Sequence, residues 1–89
     1  MNIKELPIGS LVMLKNELRK IIILGYDQKL VSDPSKNFDY VGCFFPEAYV
    51  TASKNILFNK DDIKKVYYLG YQDSSFDDFC NKRGQGGNG

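Results

Sequence analysis

The sequence predicts an α+β fold that is mainly β: a small curled antiparallel sheet or an SH3-like barrel, with a short C-terminal helix. Two observations carry this prediction. Short apolar runs alternate with turn residues along most of the chain, and runs of about four to eight apolar residues between turn signals fit buried strands better than helices. Near the C-terminus the apolar residues take the spacing of one helix face instead.

The predicted sheet is organised around residues 6–26. Pro7 fixes its own φ and Gly9 permits a positive φ, so residues 6–10 are expected to form a turn. The apolar run that follows predicts a first strand at about residues 11–15. After a short polar connection, a run rich in β-branched residues predicts a second strand at about residues 20–28.

Two further strands are expected downstream. Asp33-Pro34-Ser35 marks an exposed loop after the second strand. The aromatic run FDYVGCFF then predicts a third strand at about residues 38–45, which Pro46 ends. The run VYYLGY predicts a fourth strand at about residues 66–71.

The segment between these two strands is less regular. Residues 48–51 fit a short edge strand, and residues 56–58 form a short apolar piece. Asn59 is expected to cap a single helical turn that carries Asp61 and Asp62, because carboxylates favour the positive end of a helix dipole.

The last predicted element is a short helix. Asp73 or Ser74 can cap it, and Phe76, Phe79 and Cys80 share one face at the i, i+3, i+4 spacing. Gly84 is expected to end the helix. The chain is therefore interpreted as one domain over residues 1–83, followed by a disordered glycine-rich tail at residues 84–89.

A short near-repeat links the second and fourth predicted strands. Ile23-Leu24-Gly25-Tyr26 and Tyr68-Leu69-Gly70-Tyr71 both end in Leu-Gly-Tyr. Strands of small curled sheets commonly bend at a glycine. The repeat is interpreted as two such bends rather than as a duplicated half-domain, because nothing else in the two halves matches.

The net charge and the cysteine content indicate which kinds of partner and which cellular compartment to expect. The formal net charge of +1 and the pI near 7.7 leave no excess charge for nucleic acid or anionic lipid, so neither a nucleic acid nor a membrane is expected as partner. The start of the chain lacks the apolar core of a secretory signal, and no run is long enough to cross a bilayer. A cytoplasmic location with Cys43 and Cys80 reduced is expected, although the sequence leaves a disulfide between them open.

The residue types that usually carry catalysis or bind metal ions give no catalytic or metal-binding motif in this sequence. The sequence has no histidine, and two isolated cysteines make no metal site by spacing. Asp61 and Asp62, like the later group Asp73, Asp77 and Asp78, are explained by the preference of carboxylates for helix starts. The protein is therefore not expected to be an enzyme, and no catalytic residue, cofactor or metal is predicted.

The strand pattern predicts a protein-binding surface. A half-exposed strand should alternate apolar and polar residues, whereas these strands are apolar on both sides. A chain of 89 residues has little with which to cover a second face. The alternative is a strongly bent barrel that covers everything together with the helix. The residues predicted to contact a partner are Tyr26, Tyr40, Phe44, Glu47, Tyr67, Tyr71, Phe76 and Phe79.

Several short motifs in a fixed order resemble a known family. They are Leu6-Pro7-Ile8-Gly9-Ser10, Asp39-Tyr40-Val41-Gly42, Pro46-Glu47, Leu57-Phe58-Asn59, Asp62-Ile63 and Gly70-Tyr71. Together they resemble a domain-of-unknown-function family of Gram-positive bacteria, whose genes commonly lie beside LXG-type toxins of the type VII secretion system. The resemblance covers about residues 6–78. The family pattern often has glycine after Pro-Glu, where this chain has Ala48, and a more acidic C-terminal segment.

This resemblance implies a non-enzymatic accessory protein, a cytoplasmic partner or chaperone that holds an LXG-type toxin or another small protein of the same locus before export. An immunity protein that neutralises the toxin is the first alternative. An SH3-like nucleic-acid-binding module, stacking bases on Tyr26, Tyr40, Tyr67 and Tyr71, is the least favoured, because phosphate contacts need basic residues. Self-association as a homodimer is compatible with the first hypothesis.

Overall fold

The computed structural model describes residues 5–86, with side chains through residue 82. Five strands and one helix follow the turn at the start of this range. The strands are β1 (Leu11–Leu14), β2 (Lys20–Lys29), β3 (Asn37–Phe44), β4 (Ile56–Phe58) and β5 (Ile63–Tyr68), and the helix is α1 (Ser74–Gly86). Single 3₁₀ turns at Ala52–Lys54 and Lys60–Asp62 precede β4 and β5.

The strands form one antiparallel sheet in the order β4-β3-β2-β1-β5. Its two edges, β4 and β5, do not pair with each other, so the sheet is open. The prediction of an α+β, mainly β fold is confirmed. Of the two forms that the sequence allowed, the curled open sheet is found and the closed SH3-like barrel is not.

The predicted bounds hold for the first three strands and fail near the edges. The fourth predicted strand, at residues 66–71, in fact begins at Ile63, which pairs with Leu14 of β1, and ends at Tyr68. The apolar piece at residues 56–58 is β4, paired with β3. The edge strand proposed for residues 48–51 is wrong, because Ala48 has a left-handed φ of 63° that turns the chain away from the sheet.

The core lies on one face of the sheet. Cross-strand pairing places Val12 opposite Ile21, and Tyr40 opposite both Tyr26 and Phe58. Side chains that are directly opposite in an antiparallel pair share a face. The core therefore forms one cluster, whose fully buried members are Val12, Ile21, Ile23, Tyr40 and Phe58.

The N-terminal turn is bound to the middle of the sheet and to the segment after β5. The Gly9 N–H donates to the Ile23 carbonyl at 2.8 Å, and the Ile23 N–H donates to the Ser10 carbonyl at 2.9 Å. The Ser10 hydroxyl is buried and accepts a hydrogen bond from the Gly70 N–H at 3.0 Å. The turn is thus clamped between β2 and the connection that leads to α1.

The two glycines of the near-repeat have different roles. In β2 the pairing with β3 is shifted by an irregularity between Ile23 and Gly25, as expected for a strand that bends there. Gly70 instead lies outside β5, against the backbone of the N-terminal turn. A Cβ atom at Gly70 would lie 2.1 Å from the Ile8 carbonyl oxygen, so only glycine permits this approach.

Helix α1 is capped as predicted but is longer than expected. The Asp73 carboxylate accepts hydrogen bonds from the N–H groups of Ser75 and Phe76, at 2.9 and 3.3 Å. The helix continues through Gly86, past the stop predicted at Gly84. The remainder of the predicted tail, residues 87–89, lies outside the described residues. Within residues 5–86, no helix is both long and apolar enough to cross a membrane.

Both cysteines are buried free thiols, so the disulfide that the sequence left open is not formed. Cys43 lies in β3, and burial raises the pKa of its thiol. Cys80 lies in the second turn of α1. Each thiol therefore acts as a small apolar group in its packing.

We predict that Gly70→Ala destabilises the fold by about 1–3 kcal/mol, the usual range for overpacking, because the new Cβ collides with backbone that cannot rotate away. Urea unfolding followed by circular dichroism measures the loss. Gly25→Ala is the matched control, since its Cβ would meet only the Val41 side chain, at 3.3 Å. Equal stability losses in the two variants would contradict the proposed role of Gly70.

Candidate functional site

An apolar groove lies between α1 and the adjacent end of the sheet. It encloses about 530 Å³. Its lining is mostly aromatic and aliphatic, with two polar residues beside the start of α1. We call this surface the aromatic groove; it is lined by Ile8, Tyr26, Tyr71, Asp73, Ser75, Phe76 and Phe79.

Three separate segments position the groove. The N-terminal turn contributes Ile8, and β2 contributes Tyr26, whose hydroxyl donates to the Leu6 carbonyl at 2.5 Å. Tyr71, which directly follows Gly70, is the next residue of the lining, and its side chain remains 80% exposed. The cap by Asp73 then starts α1 so that its first turns contribute the two phenylalanines of the lining.

A chain of aromatic rings joins the groove to the core. The ring of Phe79 lies 6.4 Å from that of Phe76 and 5.2 Å from that of Tyr26, measured between centroids. Tyr26 in turn lies 5.7 Å from Tyr40, which lies 5.5 Å from Phe58. These separations are typical of favourable tilted aromatic pairs. The floor of the groove is therefore continuous with the packed interior.

The prediction that Tyr40 contacts a partner is wrong, because its side chain is 1% exposed. Its hydroxyl donates to the Glu5 carboxylate at 3.1 Å and accepts a hydrogen bond from the Leu6 N–H at 3.2 Å. Glu5 also forms an ion pair with Lys60, at 3.2 Å. Burial, together with the nearby Glu5 carboxylate, raises the pKa of the Tyr40 phenol. Tyr40 is thus a buried structural residue that ties the start of the described chain to β3.

Phe44 and Glu47 lie at a second, smaller concavity beside the β1–β2 connection. The Arg19 guanidinium forms an ion pair with Glu47, lies 4.5 Å from the centroid of the Phe44 ring and donates to the Phe45 carbonyl at 3.3 Å. The hydrogen bond from Arg19 lowers the pKa of the Glu47 carboxyl. The ion pair holds the Glu47 side chain beside Arg19, and both side chains remain partly exposed.

Tyr67 lies on the other face of the sheet from the core. Its hydroxyl contacts the Met13 sulfur at 3.8 Å, and the ammonium groups of Lys20 and Lys65 lie 5.1 and 4.8 Å from its ring centroid. Because Met13 follows the buried Val12 in β1, its side chain points to the opposite face. The four tyrosines proposed to stack nucleic-acid bases therefore share no common surface.

The structure thus brings together Tyr26, Tyr71, Phe76 and Phe79, four of the eight predicted contact residues. Sequence reasoning missed Ile8, since an apolar residue between Pro7 and Gly9 was interpreted only as part of a turn. It also missed two exposed residues, Tyr68, which ends β5, and Leu69, which follows it. The consecutive apolar residues of the last predicted strand were a usable signal, because an edge strand leaves such a run exposed.

Within the described residues, no group of three or more histidine, cysteine or carboxylate side chains is placed to hold a metal ion. The fold and its surface define a small sheet-and-helix domain that presents an open aromatic groove. The chain belongs to a family defined as a domain of unknown function, DUF4176, whose family model matches residues 5–79. Neither the curated proteins nor the solved structures contain a match to the chain.

The buried Tyr40 gives a prediction about alkaline stability. The raised pKa keeps the phenol protonated in the folded chain at a pH at which the unfolded chain loses the proton. The stability that Tyr40 contributes is therefore complete below about pH 10 and is lost as the pH rises above that value. In Tyr40→Phe, the decline of the unfolding free energy above about pH 10 should be shallower by about 1.4 kcal/mol per pH unit.

Urea unfolding of the variant and of wild type at a series of pH values measures this difference. Tyr49→Phe is the matched control, because Tyr49 is exposed. Parallel declines in wild type and Tyr40→Phe would contradict the prediction.

The turn after β3 gives a second prediction. Ala48 adopts a φ of 63°, in the left-handed region that glycine occupies at little cost, and its N–H donates to the Phe44 carbonyl at 2.8 Å. We expect Ala48→Gly to raise the free energy of unfolding by about 0.5–1 kcal/mol, since relief of the left-handed penalty exceeds the added entropy of the unfolded chain. Thermal unfolding measures the gain. Ala52→Gly, in the adjoining 3₁₀ turn, should give none; a gain in both variants would point to another cause.

Proposed function

We propose that this protein is a non-enzymatic protein-binding accessory factor, a chaperone or adaptor that holds an LXG-type toxin of the type VII secretion system in the cytoplasm. One observation supports the binding role above all others: the aromatic groove is open, although a small domain gains stability by covering such side chains. The identity of the partner comes from the family resemblance described above.

The composition of the groove suits a protein partner. Tyrosine and phenylalanine are enriched at the centres of protein interfaces, where large rings fill pockets on the partner. The polar groups of Asp73 and Ser75 stand beside the apolar lining, at the start of α1. Such an arrangement accommodates an apolar side chain of the partner and leaves polar groups for the surrounding backbone. Its volume of 530 Å³ is sufficient for one or two large side chains.

Co-expression with an LXG-type toxin encoded beside its gene tests this function. We expect the toxin to co-purify with the wild-type chain and Tyr71→Ala to weaken binding by at least about tenfold, as for a central aromatic contact. Because Tyr71 is 80% exposed, its truncation should leave the folded domain intact. Isothermal titration with purified toxin measures the affinity.

Tyr49→Ala is the matched control, since this tyrosine is 59% exposed and lies outside the groove. Toxin that does not bind the wild-type chain, or that binds both variants as well as wild type, would overturn the proposal.

Fragments of the toxin separate the accessory role from immunity. A chaperone or adaptor should bind the LXG region and leave the toxicity of the isolated toxin domain unchanged. An immunity protein should bind the toxin domain and protect cells that express it. Binding confined to the toxin domain would therefore replace the accessory function with the alternative.

A further inference from the structure

The second surface of interest is the outer edge of β5. The sheet order ends at this strand, so its outward backbone N–H and C=O groups have no partner strand in the described part of the chain. The opposite edge, β4, has three residues, whereas β5 has six. An unpaired edge of this length can accept one further strand through main-chain hydrogen bonds.

Side chains along β5 combine apolar and cationic groups. Val66, Tyr67 and Tyr68 are all exposed, with Tyr68 at 65%. Lys64 and Lys65 precede them in the strand, and Lys20 reaches Tyr67 from β2. An incoming strand would therefore lie beside large apolar side chains at one end of β5 and beside ammonium groups at the other.

These ammonium groups have no anionic partner in the part of the chain that the structure describes. Among the described residues, no carboxylate forms an ion pair with Lys20, Lys64 or Lys65. Lys20 and Lys65 instead lie over the same Tyr67 ring. Two cations on one ring repel each other, so a carboxylate placed between them would be favoured by both.

We propose that the outer edge of β5 binds an extended acidic segment of a partner protein, which adds to the sheet as a sixth strand. Carboxylates of that segment pair with Lys20, Lys64 and Lys65, and its apolar side chains lie beside Val66 and Tyr68. This surface is separate from the aromatic groove, and the inference does not depend on the function proposed for the groove.

The same observations disfavour other occupants. A second copy of the chain, paired through its own β5, would add a strand that has no carboxylate for these lysines. Nucleic acid and anionic lipid could meet the lysines, but neither has backbone amides that pair with a sheet edge. An acidic polypeptide offers both kinds of partner: backbone amides for the exposed edge and carboxylates for the lysines.

Selection from a random library of displayed peptides of about ten residues, with the full chain as bait, tests the proposal. We expect the selected peptides to carry Asp or Glu at alternate positions between apolar residues. In hydrogen-exchange measurements, a selected synthetic peptide should protect backbone amides of Ile63–Tyr68. Replacing both lysines, by Lys64→Glu with Lys65→Glu, should weaken binding by about tenfold.

Matched controls keep the outcome specific. Lys29→Glu with Lys36→Glu makes the same charge change away from β5 and should leave the affinity of the peptide unchanged. Tyr71→Ala, in the groove, should also leave it unchanged, so the two proposals fail or succeed separately. Selected peptides without acidic enrichment, or protection of amides elsewhere, would overturn the inference. So would a single-stranded oligonucleotide or an anionic vesicle that binds the same lysines more tightly than any selected peptide, or a β5-dependent dimer of the free chain.

Discussion

The close contact between Gly70 and the N-terminal turn determines how the parts of this domain are arranged. Two backbones meet there with no side chain between them, and the buried Ser10 hydroxyl joins them through a hydrogen bond of 3.0 Å. The same turn is hydrogen-bonded to β2 through Gly9 and Ile23. The start of the described chain, the centre of the sheet and the connection to α1 are thereby fixed relative to one another.

The aromatic groove follows from this contact. Ile8 belongs to the clamped turn, and Tyr71 follows Gly70 directly. Ser10 and Gly70, which are 60 positions apart in the chain, are held together by a hydrogen bond and by a close backbone contact. Helix α1 completes the groove through the pair formed by Phe79 and Tyr26. An apolar groove can be built in this way on a small chain, which buries a smaller share of its surface than a large one does.

Local patterns predicted much of the fold, because the signals for the first three strands and for the cap of α1 lie within a few residues of each element. The edges could not be predicted in the same way. Ile63 and Lys65 directly follow a predicted helical turn, and it is their pairing with β1 that makes them part of a strand. Likewise, the choice between an open sheet and a barrel depends on whether β4 meets β5, which is a long-range contact.

The sequence predicted several residues of the candidate site, but it did not predict where on the fold these residues would come together. The aromatic residues of the groove were identified by type, but their convergence depends on the contact at Gly70. Tyr40 has the same sequence signature as the exposed tyrosines, yet its opposition to Tyr26 and Phe58 buries it. Glu47 follows the strand end that Pro46 predicts, but its ion pair with Arg19, distant in sequence, had no local signal.

The continuous row of rings from Phe76 to Phe58 has a thermodynamic consequence. A ligand in the groove would contact Tyr26, and Tyr26 packs against the core. The same ring therefore takes part both in binding the ligand and in stabilising the fold. A ligand L that binds only the folded chain, with dissociation constant Kd, then adds RT ln(1 + [L]/Kd) to the free energy of unfolding. A partner present in excess would raise the melting temperature of the whole domain. Chains without a bound partner would unfold more often and would be degraded first by the proteases of the cell.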